Sequence, residues 1–546
     1  MRIEKNRKED RPEIETIGQI RDYIKQTIRI YLESNVPTGI PVSERKKYRI
    51  KVQQLRHSLR TCVYGDDGEK SYVKHFIMRE LEKMNLTVRE RDILLPVQNP
   101  ERMDGTQKFR VLLYRYMKKY GKEGFRKLCE LYGLPGEVKR EDGTYFEITE
   151  ADISRIYQEE SIRLSNGEML EVLCDEVYES FGHGVIDRLR DCRLEGISGG
   201  AAGIPEHVFQ YEGVFAEPVV GNYAHDSVFV MINGVTVRLA FLSFGSEQEL
   251  RRVTKALLRF EAPGELSYYR PYIVNDMKDG SRVFACRPPF SESWAFFVRK
   301  FDSVEEKKVE ELVVGEGAES VIAAIKYFVK GGLHIAITGA QGSGKTTLLK
   351  AMVRYISPKY NLRIEESVFE LWMRKEFPRR NILTFQETES VSSAEGLDAF
   401  RKTDGNCLMM GEIGNIHAAA LMIELSQVSE QQLFTHHAMT TEKMLGYFRN
   451  ALLRTGMYSD ERMAQEQVAE AFDIHILCEK DINGKRYIKQ ISEIVSEDGG
   501  KGRVLYRYSD ERYEMTGVPT RQLLCRMSEH MEDVDKETVT AFFTGV

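Results

Sequence analysis

The sequence lacks several features that would place it in a specialised class of protein. Its eight cysteines include no C-x-x-C pair, so neither a zinc knuckle nor a disulfide framework is indicated. There is no uninterrupted apolar run of about 18 residues, and the charged first residues are not followed by an apolar segment. The net charge of −6 gives no general electrostatic case for binding nucleic acid. We therefore expect a cytoplasmic globular protein with no transmembrane segment and no stable nucleic-acid partner.

One stretch of the sequence carries a recognisable chemical motif. Residues 339–346 read G-A-Q-G-S-G-K-T and fit the phosphate-binding pattern G-x-x-x-x-G-K-[ST]. A short apolar run at 333–338 predicts a strand before the motif, and apolar periodicity predicts a helix after it. Glycines let backbone N–H groups approach phosphate oxygens, and a helix N-terminus adds partial positive charge. The motif predicts a nucleotide site, and the alternative is a chance glycine-rich turn.

Two residues of the motif have predicted roles of their own. Lys345 is expected to neutralise the β- and γ-phosphates of ATP, and the Thr346 hydroxyl is expected to bind Mg²⁺. The residues of this stretch predicted to contact the nucleotide are Gly339, Ala340, Gln341, Gly342, Ser343, Gly344, Lys345, Thr346 and Thr347.

A carboxylate follows the predicted buried strand 407–410. A nucleotide-hydrolysing site needs an acid beside the phosphate loop, either to hold Mg²⁺ or to orient the attacking water. Glu412 meets this need, and we predict it as a catalytic residue and a Mg²⁺ ligand. The alternative is a surface glutamate that happens to follow a strand.

Two other predicted strands also end in polar residues. Glu365 and Glu366 follow one of them and either reach Mg²⁺ or form a solvated pair of charges. Of the two, Glu365 is the preferred site residue. His436 and His437 follow the other strand, where a histidine either contacts the γ-phosphate or serves the structure alone. Neither histidine has the spacing of a metal site.

The pattern of apolar residues divides the chain into four predicted regions. Residues 1–178 are mostly helical, because apolar residues recur there at three- and four-residue steps. Residues 179–303 mix strands and helices and contain Asn233-Gly234, the strongest short hairpin signal. Residues 304–495 alternate short apolar runs with helical patterns, which predicts a mainly parallel sheet wrapped by helices. Asn483-Gly484 predicts a hairpin near their end, a second strand pair is expected around Gly499-Gly500, and 496–546 form an extension with a final helix from about Thr520.

The order of these motifs resembles that of the type II/type IV secretion ATPases. The resemblance rests on the phosphate loop followed by I-E-E-S, M-M-G-E and T-H-H-A, and on D-G-S-R-V and V-R-K-F before them. Within that superfamily the sequence looks most like the Tad/Flp pilus assembly ATPases, the CpaF-like group. The similarity runs from about residue 180 to about residue 495 and leaves the helical N-terminal region outside.

The resemblance implies a fold, an activity and partners. The expected fold class is α/β, with a RecA-like P-loop ATPase domain preceded by a PAS-like α+β domain and a mostly helical N-terminal region. The expected protein is a homo-hexameric, ATP- and Mg²⁺-dependent motor at the inner face of the cell membrane. It would act on a polytopic membrane platform protein of a pilus or secretion machine.

The resemblance also implies roles for individual residues. Lys345 and Thr346 match the Walker A pair, Glu412 matches the Walker B glutamate, and Glu365 matches the glutamate of the aspartate box. His437 matches the histidine of the T-x-H-A box and is included among the catalytic residues. The arginines that match those approaching the phosphates across a domain or subunit boundary are Arg270, Arg282 and Arg299.

Two departures from the family pattern lie on either side of the strand 407–410, and the aspartate box is also one residue longer before Glu370. Gly414 stands where the family usually has arginine, and Arg401 lies one residue too far from Glu412. These departures leave three functions open: a motor for pilus assembly or secretion, a nucleotide-binding scaffold or regulatory ring subunit with weak turnover, and a DNA-translocating motor of conjugation type. The acidic net charge argues against the last.

Overall fold

The computed structural model divides into two compact units. It describes residues 13–33, 42–140, 143–205, 223–261, 264–301, 307–388, 391–481, 484–496 and 500–544. The N-terminal unit spans Met1–Ser303 and the C-terminal unit spans Val304–Val546. The four-domain division stays a prediction.

Helices dominate the first part of the N-terminal unit. Their apolar side chains recur at helical spacing and face inward, as Ile20, Ile24 and Ile28 do in the first helix. Capping side chains fix several of the starts. Thr149, for example, accepts a hydrogen bond from the Asp152 backbone N–H. The helices of this unit are α1 (Ile17–Glu33), α2 (Val42–Thr61), α3 (Asp67–Met84), α4 (Val88–Leu94), α5 (Gly105–Tyr120), α6 (Gly124–Tyr132), α7 (Glu150–Glu160), α8 (Asn166–Tyr178), α9 (Asp187–Asp191) and α10 (Glu247–Ala256).

The described strands of the N-terminal unit form one sheet, in the order β1-β2-β5-β4-β3-β8-β7-β6. These strands are β1 (Gly136–Arg140), β2 (Gly143–Ile148), β3 (Gly196–Gly199), β4 (Val228–Ile232), β5 (Val235–Leu239), β6 (Tyr272–Asp276), β7 (Arg282–Cys286) and β8 (Ala295–Arg299). All neighbours are antiparallel except β2 and β5. The hairpin predicted at Asn233-Gly234 is confirmed, because both residues have positive φ and join the antiparallel β4 and β5. The strands β1 and β2 were not predicted, since their short apolar pattern lies between strong helical patterns.

The C-terminal unit alternates strands and helices along the chain. Its helices are α11 (Val309–Leu312), α12 (Ala318–Lys330), α13 (Lys345–Met352), α14 (Met373–Glu376), α15 (Ser393–Phe400), α16 (Ile416–Leu425), α17 (Thr441–Arg454), α18 (Glu461–Ala471), α19 (Arg521–His530) and α20 (Asp533–Thr544). Its strands are β9 (Ile335–Thr338), β10 (Leu362–Glu366), β11 (Ile382–Gln386), β12 (Cys407–Met410), β13 (Gln431–His436), β14 (Ile474–Lys480), β15 (Arg486–Val495), β16 (Lys501–Ser509) and β17 (Arg512–Met515). Short 3₁₀ helices in the two units lie at Pro100–Arg102, Gly121–Glu123, Gly184–Ile186, Ala224–Asp226 and Val353–Tyr355.

The C-terminal sheet has the strand order β11-β10-β12-β13-β9-β14-β15-β16-β17. The strands from β11 to β14 in this order are parallel, and β15, β16 and β17 continue it as antiparallel strands. The mainly parallel sheet and both late strand pairs are confirmed, although Asn483 and Gly499 lie outside the described residues. The predicted final helix begins at Arg521 after its cap Thr520, and α20 follows it.

Both faces of the C-terminal sheet are covered. Ile335 and Ile337 of β9 belong to one buried cluster, and Ala336 between them belongs to the cluster on the other face. A parallel strand covered on both faces is apolar throughout, so polar side chains are left to the strand ends. The predicted fold class is confirmed: a RecA-like α/β P-loop domain, preceded by an α+β sheet and a mostly helical N-terminal region. Among the described helices, none is both long enough and apolar enough to cross a membrane.

Candidate functional site

The strand β9 leads into the glycine-rich loop 339–344, and α13 begins directly after it. Gly339, Gly342 and Gly344 all have positive φ, which residues with a side chain rarely adopt. A Cβ at Gly339 would lie 2.1 Å from the backbone oxygen of Cys478, because β14 runs beside the loop. Glycine is therefore required at this position for both steric and conformational reasons.

Lys345, the first residue of α13, is buried with its ammonium group over the loop. Its Nζ donates to the backbone oxygens of Gly339 and Ala340, at 2.9 Å in both cases. The same Nζ lies 3.4 Å from His437 Nδ1. The next residue, Thr346, is half-buried in the first turn of α13. The charge of Lys345 and the hydroxyl of Thr346 thus lie at the N-terminus of one helix, as the motif requires.

The sheet brings Glu412 and His437 together beside this loop. The strand β13 lies between β9 and β12, so the residues that follow β12 and β13 meet at the same edge. His437 Nε2 is 2.9 Å from Glu412 Oε1, and both side chains are half-exposed. Since Lys345 can only donate to Nδ1, the neutral imidazole carries its proton on Nε2 and donates it to Glu412. Lys345, His437 and Glu412 therefore form a continuous chain of hydrogen bonds.

The two adjacent histidines have different environments. His436 is buried, its Nδ1 donates to the Ile413 backbone oxygen at 3.0 Å, and its ring packs against Tyr447. Burial lowers the pKa of His436. His436 therefore supports the β13 end structurally, whereas His437 faces the loop. The local pattern does not separate the two residues, because they are neighbours at one strand end, and only the family resemblance singled out His437.

The two adjacent glutamates of β10 also differ. Glu366 Oε1 accepts hydrogen bonds of 2.9 Å from the backbone N–H groups of Glu370 and Leu371. Glu365 is only 1% exposed, and neither of its carboxyl oxygens has a hydrogen-bond partner among the described residues. Burial, reinforced by the charge of Glu387 and opposed by the nearby Ser393 hydroxyl, raises the pKa of Glu365 to about 8. Glu366 therefore anchors the following turn, and Glu365 has unused hydrogen-bonding capacity.

The three predicted arginines lie in the N-terminal unit. Arg282 of β7 and Arg299 of β8 are cross-strand partners, so the sheet places two positive charges side by side. Arg282 Nε lies 3.3 Å from Asp276 Oδ1. Arg270 is exposed in the segment before β6. Their contact with a nucleotide stays a prediction.

The two departures from the family pattern have clear structural settings. A Cβ at Gly414 would meet no atom of the described residues within 4 Å, so the first atom of a side chain meets no steric obstacle there. The guanidinium of Arg401 instead pairs with Glu424 Oε1 of α16 at 2.6 Å. Arg401 is therefore held on the surface of α16.

Sequence reasoning missed two basic residues that contact the loop. Lys480 ends β14 and Arg486 begins β15, and Arg486 Nε donates to the Gly342 backbone oxygen at 2.9 Å. They lie outside every recognised motif. The one available signal was their position on either side of the predicted Asn483-Gly484 turn.

The residues present fit a nucleoside triphosphate with Mg²⁺. Gly339, Gly342 and Gly344 form the cradle, Lys345 supplies charge, and the Thr346 hydroxyl is a hard oxygen donor. In addition to Glu365, the buried Ser343 Oγ has no hydrogen-bond partner among the described residues. The described residues contain no group of three or more His, Cys, Asp and Glu able to hold a metal alone. Such a site suits an ion that shares its coordination with phosphate and water.

The fold and the loop define a P-loop domain, and comparison with known proteins shows which family it resembles. Residues 296–455 match the family described as Type II/IV secretion system protein. Over this stretch the chain is therefore similar to the type II/IV secretion proteins. The match does not assign the Tad/Flp branch, which stays a prediction.

Similar proteins were found among curated sequences and solved structures. The conjugal transfer protein TrbB of Rhizobium radiobacter is 24% identical over 285 residues, which are 52% of this chain and 82% of TrbB. An uncharacterized protein of Methanocaldococcus jannaschii is 26% identical over 183 residues, or 32% of each chain. The Legionella pneumophila ATPase DotB has a TM-score of 0.39 at 15% identity, over 57% of this chain and 82% of DotB. At this score the structural likeness carries no argument about the site.

Proposed function

We propose that the protein is a cytoplasmic Mg²⁺-dependent ATPase that works as a hexameric ring at the inner face of the cell membrane. It powers assembly of a Tad/Flp-type pilus or of a related type II/IV secretion machine. The observation that supports this best is the chain of contacts from Lys345 through His437 to Glu412 beside the phosphate loop. The secretion-family match over 296–455 supports the biological setting.

Each residue of the chain has a distinct task in this proposal. The loop N–H groups and Lys345 bind the β- and γ-phosphates, and Thr346 binds the metal ion. When bound beside Thr346, Mg²⁺ would neutralise charge on the phosphate oxygens and so lower the barrier to attack. Glu412 orients the attacking water and accepts its proton. His437 fixes Glu412 through its Nε2–H and couples it to the loop through Lys345.

Glu365 and the arginines complete the proposed site. Glu365 lacks a hydrogen-bond partner among the described residues, and the hydration water of a metal ion would satisfy its buried oxygens. Arg270, Arg282 and Arg299 would contribute positive charge to the phosphates across a domain or subunit boundary. In a ring, motion between the two units would pass work to a polytopic membrane platform protein.

The direct test is Mg²⁺-dependent phosphate release by the full-length protein. We expect Glu412→Gln to lower turnover by about 100-fold or more while ATP binding persists, since the water loses its base. Lys345→Ala should abolish binding. Glu430→Gln is the matched control, because Glu430 is exposed just before β13, at the opposite edge of the sheet. Turnover that survives both Glu412→Gln and Lys345→Ala would contradict the proposal.

The ring is tested on the same samples by light scattering. A mass of about six chains in the presence of ATP and Mg²⁺ is expected, because a shared site orders the contacts between subunits. A protein that hydrolyses ATP as a monomer at every concentration would contradict the ring part alone.

Gly414 favours a second candidate, a nucleotide-binding ring subunit with weak turnover. The family usually has arginine at this position, and a Cβ there would meet no atom of the described residues within 4 Å. On this alternative the wild type binds ATP without measurable turnover, and Gly414→Arg raises turnover. Rapid wild-type turnover that Gly414→Arg leaves unchanged excludes it.

The name of the relative TrbB favours a conjugation-type motor as a third candidate. Single-stranded and double-stranded DNA should then stimulate ATP turnover, with an effect that falls steeply as salt rises. The net charge of −6 argues against this outcome. Turnover that is indifferent to DNA at low salt excludes it.

A further inference from the structure

A hairpin outside every recognised motif reaches the phosphate loop. The strand β14 lies parallel to β9, so it ends at the same edge of the sheet as the loop. The chain then turns back into β15, and Lys480 and Arg486 are cross-strand partners at the end of this hairpin. Residues directly opposite each other point to the same face, so both basic side chains extend on one side.

Both side chains converge on the same glycine of the loop. Arg486 Nε donates to the Gly342 backbone oxygen at 2.9 Å, and Arg486 Cδ lies 3.5 Å from the position of a Cβ at Gly344. Lys480 Nζ lies 3.7 Å from the position of a Cβ at Gly342. The arginine therefore lies along the loop, and the lysine ammonium lies beside it.

The hydrogen-bonding requirements of a phosphate loop explain why Arg486 contacts a backbone oxygen of the loop. When its N–H groups point inward to an anion, its carbonyl groups point outward and need donors of their own. Lys345 serves the oxygens of Gly339 and Ala340, yet the proposed function also requires its charge at the phosphates. The Gly342 oxygen instead accepts its hydrogen bond from Arg486 of the hairpin. This bond does not depend on whether Lys345 contacts the loop oxygens or the phosphates. Arg486 can thus keep the loop in its anion-binding shape throughout a cycle.

Electrostatics gives the hairpin a second contribution. Lys480 and Arg486 are cross-strand partners beside the loop, and their positive charges add to that of Lys345. The attraction of these charges for a polyanion held in the loop grows with the charge of that anion. The arrangement therefore favours nucleotides with more phosphate groups.

We propose that Arg486 is a positioning residue that holds the phosphate loop in its binding conformation, and that Lys480 adds charge which favours a nucleoside triphosphate. This proposal rests on the proposed function, since it assumes that the loop binds ATP. It assigns part of the affinity to a hairpin that lies more than a hundred residues beyond the motif in the sequence.

The test measures binding of ATP and ADP that carry a fluorescent N-methylanthraniloyl group, with Mg²⁺. We expect Arg486→Ala to raise the Kd for ATP about tenfold, the size expected when a hydrogen bond from a charged donor is lost. Arg486→Gln keeps an N–H donor without the charge and should recover part of the loss. Lys480→Ala should raise the Kd for ATP about threefold and that for ADP less. This effect should shrink as ionic strength rises from about 0.05 to 0.5 M.

The controls separate positioning from folding. Arg507→Ala removes an exposed arginine of β16 in the same sheet and should leave both Kd values unchanged. The unfolding midpoints of all variants without nucleotide should match that of the wild type. If Arg486→Ala does not fold, the Arg486→Gln and Lys480→Ala comparisons carry the test.

Two negative outcomes are distinguishable. If Lys345→Ala abolishes ATP binding while the Arg486 and Lys480 variants bind within twofold of wild type, the hairpin proposal is wrong and the proposed function stands. If the wild type itself binds no ATP, both are wrong.

Discussion

The two sheets of the protein use their residues in different ways. In the antiparallel sheet of the N-terminal unit, consecutive residues alternate between buried and exposed: Ile273 of β6 is 1% exposed and Val274 is 48% exposed. In the parallel part of the C-terminal sheet, Leu408 and Met409 of β12 are 1% and 0% exposed. Covering both faces leaves the strand ends as the place for polar residues. The N-terminal sheet thus has an exposed face, whereas the polar site residues of the C-terminal sheet lie along one edge.

The exposed face of the N-terminal sheet is apolar in part. Phe297, Phe284 and Tyr272 form a row across β8, β7 and β6, and adjacent ring centres are 6.1 and 5.9 Å apart. Phe290 continues the row at 5.2 Å from Tyr272. The edge of the C-terminal sheet instead carries the glutamates, His437 and the glycine loop. A surface and an edge respond differently to substitution, which four experiments can measure.

The largest effect is expected at the loop itself. Gly339→Ala places a Cβ 2.1 Å from the Cys478 backbone oxygen at a φ that alanine avoids. The Kd for ATP should rise by about 100-fold or more, because the loop must leave its binding shape. Gly446→Ala is the matched control: its Cβ meets nothing within 4 Å in helix α17, so it should stabilise that helix by about 0.5–1 kcal/mol. Equal binding by the two variants would contradict the assigned loop geometry.

The second experiment compares neighbouring positions in the two sheets. Leu408→Ala and Met409→Ala should each destabilise the C-terminal unit by about 2–5 kcal/mol, since both side chains are buried. In β6, Ile273→Ala should cost a similar amount, whereas Val274→Ala should cost less than about 1 kcal/mol. Hydrogen exchange measured peptide by peptide reports each unit separately. A small effect at either β12 position would show that one face of the parallel strand is open.

The third experiment uses the buried carboxyl group of Glu365. Its pKa is raised to about 8 from an ordinary value of 4.5, so the folded state holds a proton that the unfolded state releases. Stability of the C-terminal unit should therefore fall as the pH rises from about 4.5 to 8.

Glu365→Gln should remove this pH dependence and be more stable than wild type at pH 8, by about 4 kcal/mol. At pH 4 the difference should nearly vanish, because the carboxyl group of the wild type is then neutral in the folded state and largely neutral in the unfolded state. Glu470→Gln, at an exposed position of α18, is the control. If the free energy of unfolding of Glu365→Gln differed from that of the wild type by the same amount at both pH values, Glu365 would not be a buried neutral carboxyl group.

The smallest effect is expected at Arg401, whose position departs from the family pattern. Arg401→Ala breaks an ion pair with Glu424 in which both side chains are more than a third exposed, and such pairs contribute about 0–1 kcal/mol. Turnover should stay within twofold of wild type, since Arg401 is held on the surface of α16. A large loss of turnover would assign Arg401 to the site in spite of that contact.

The sequence was sufficient to predict the phosphate loop, the parallel sheet and the hairpins. These features depend on local rules: glycine at positive φ, Asn-Gly turns, and apolar periods of helices and strands. The strands β1 and β2 were missed although they pair with each other, because their short apolar pattern lies between strong helical patterns. The partner that joins them to the sheet is β5, which lies almost a hundred residues beyond β2 in the sequence, so the local pattern is weak.

Within the site, the sequence motifs alone determined which residue types are present and which strand ends they follow. The sequence and its resemblance preferred His437 and Glu365, but only the tertiary structure showed how their contacts differ from those of His436 and Glu366, because the orientation of adjacent side chains depends on what packs against each of them. Only the tertiary structure brought Arg486 to the loop, since that contact arises from β14 lying beside β9. The sequence thus determined the chemistry available, and packing between distant segments decided which atoms meet.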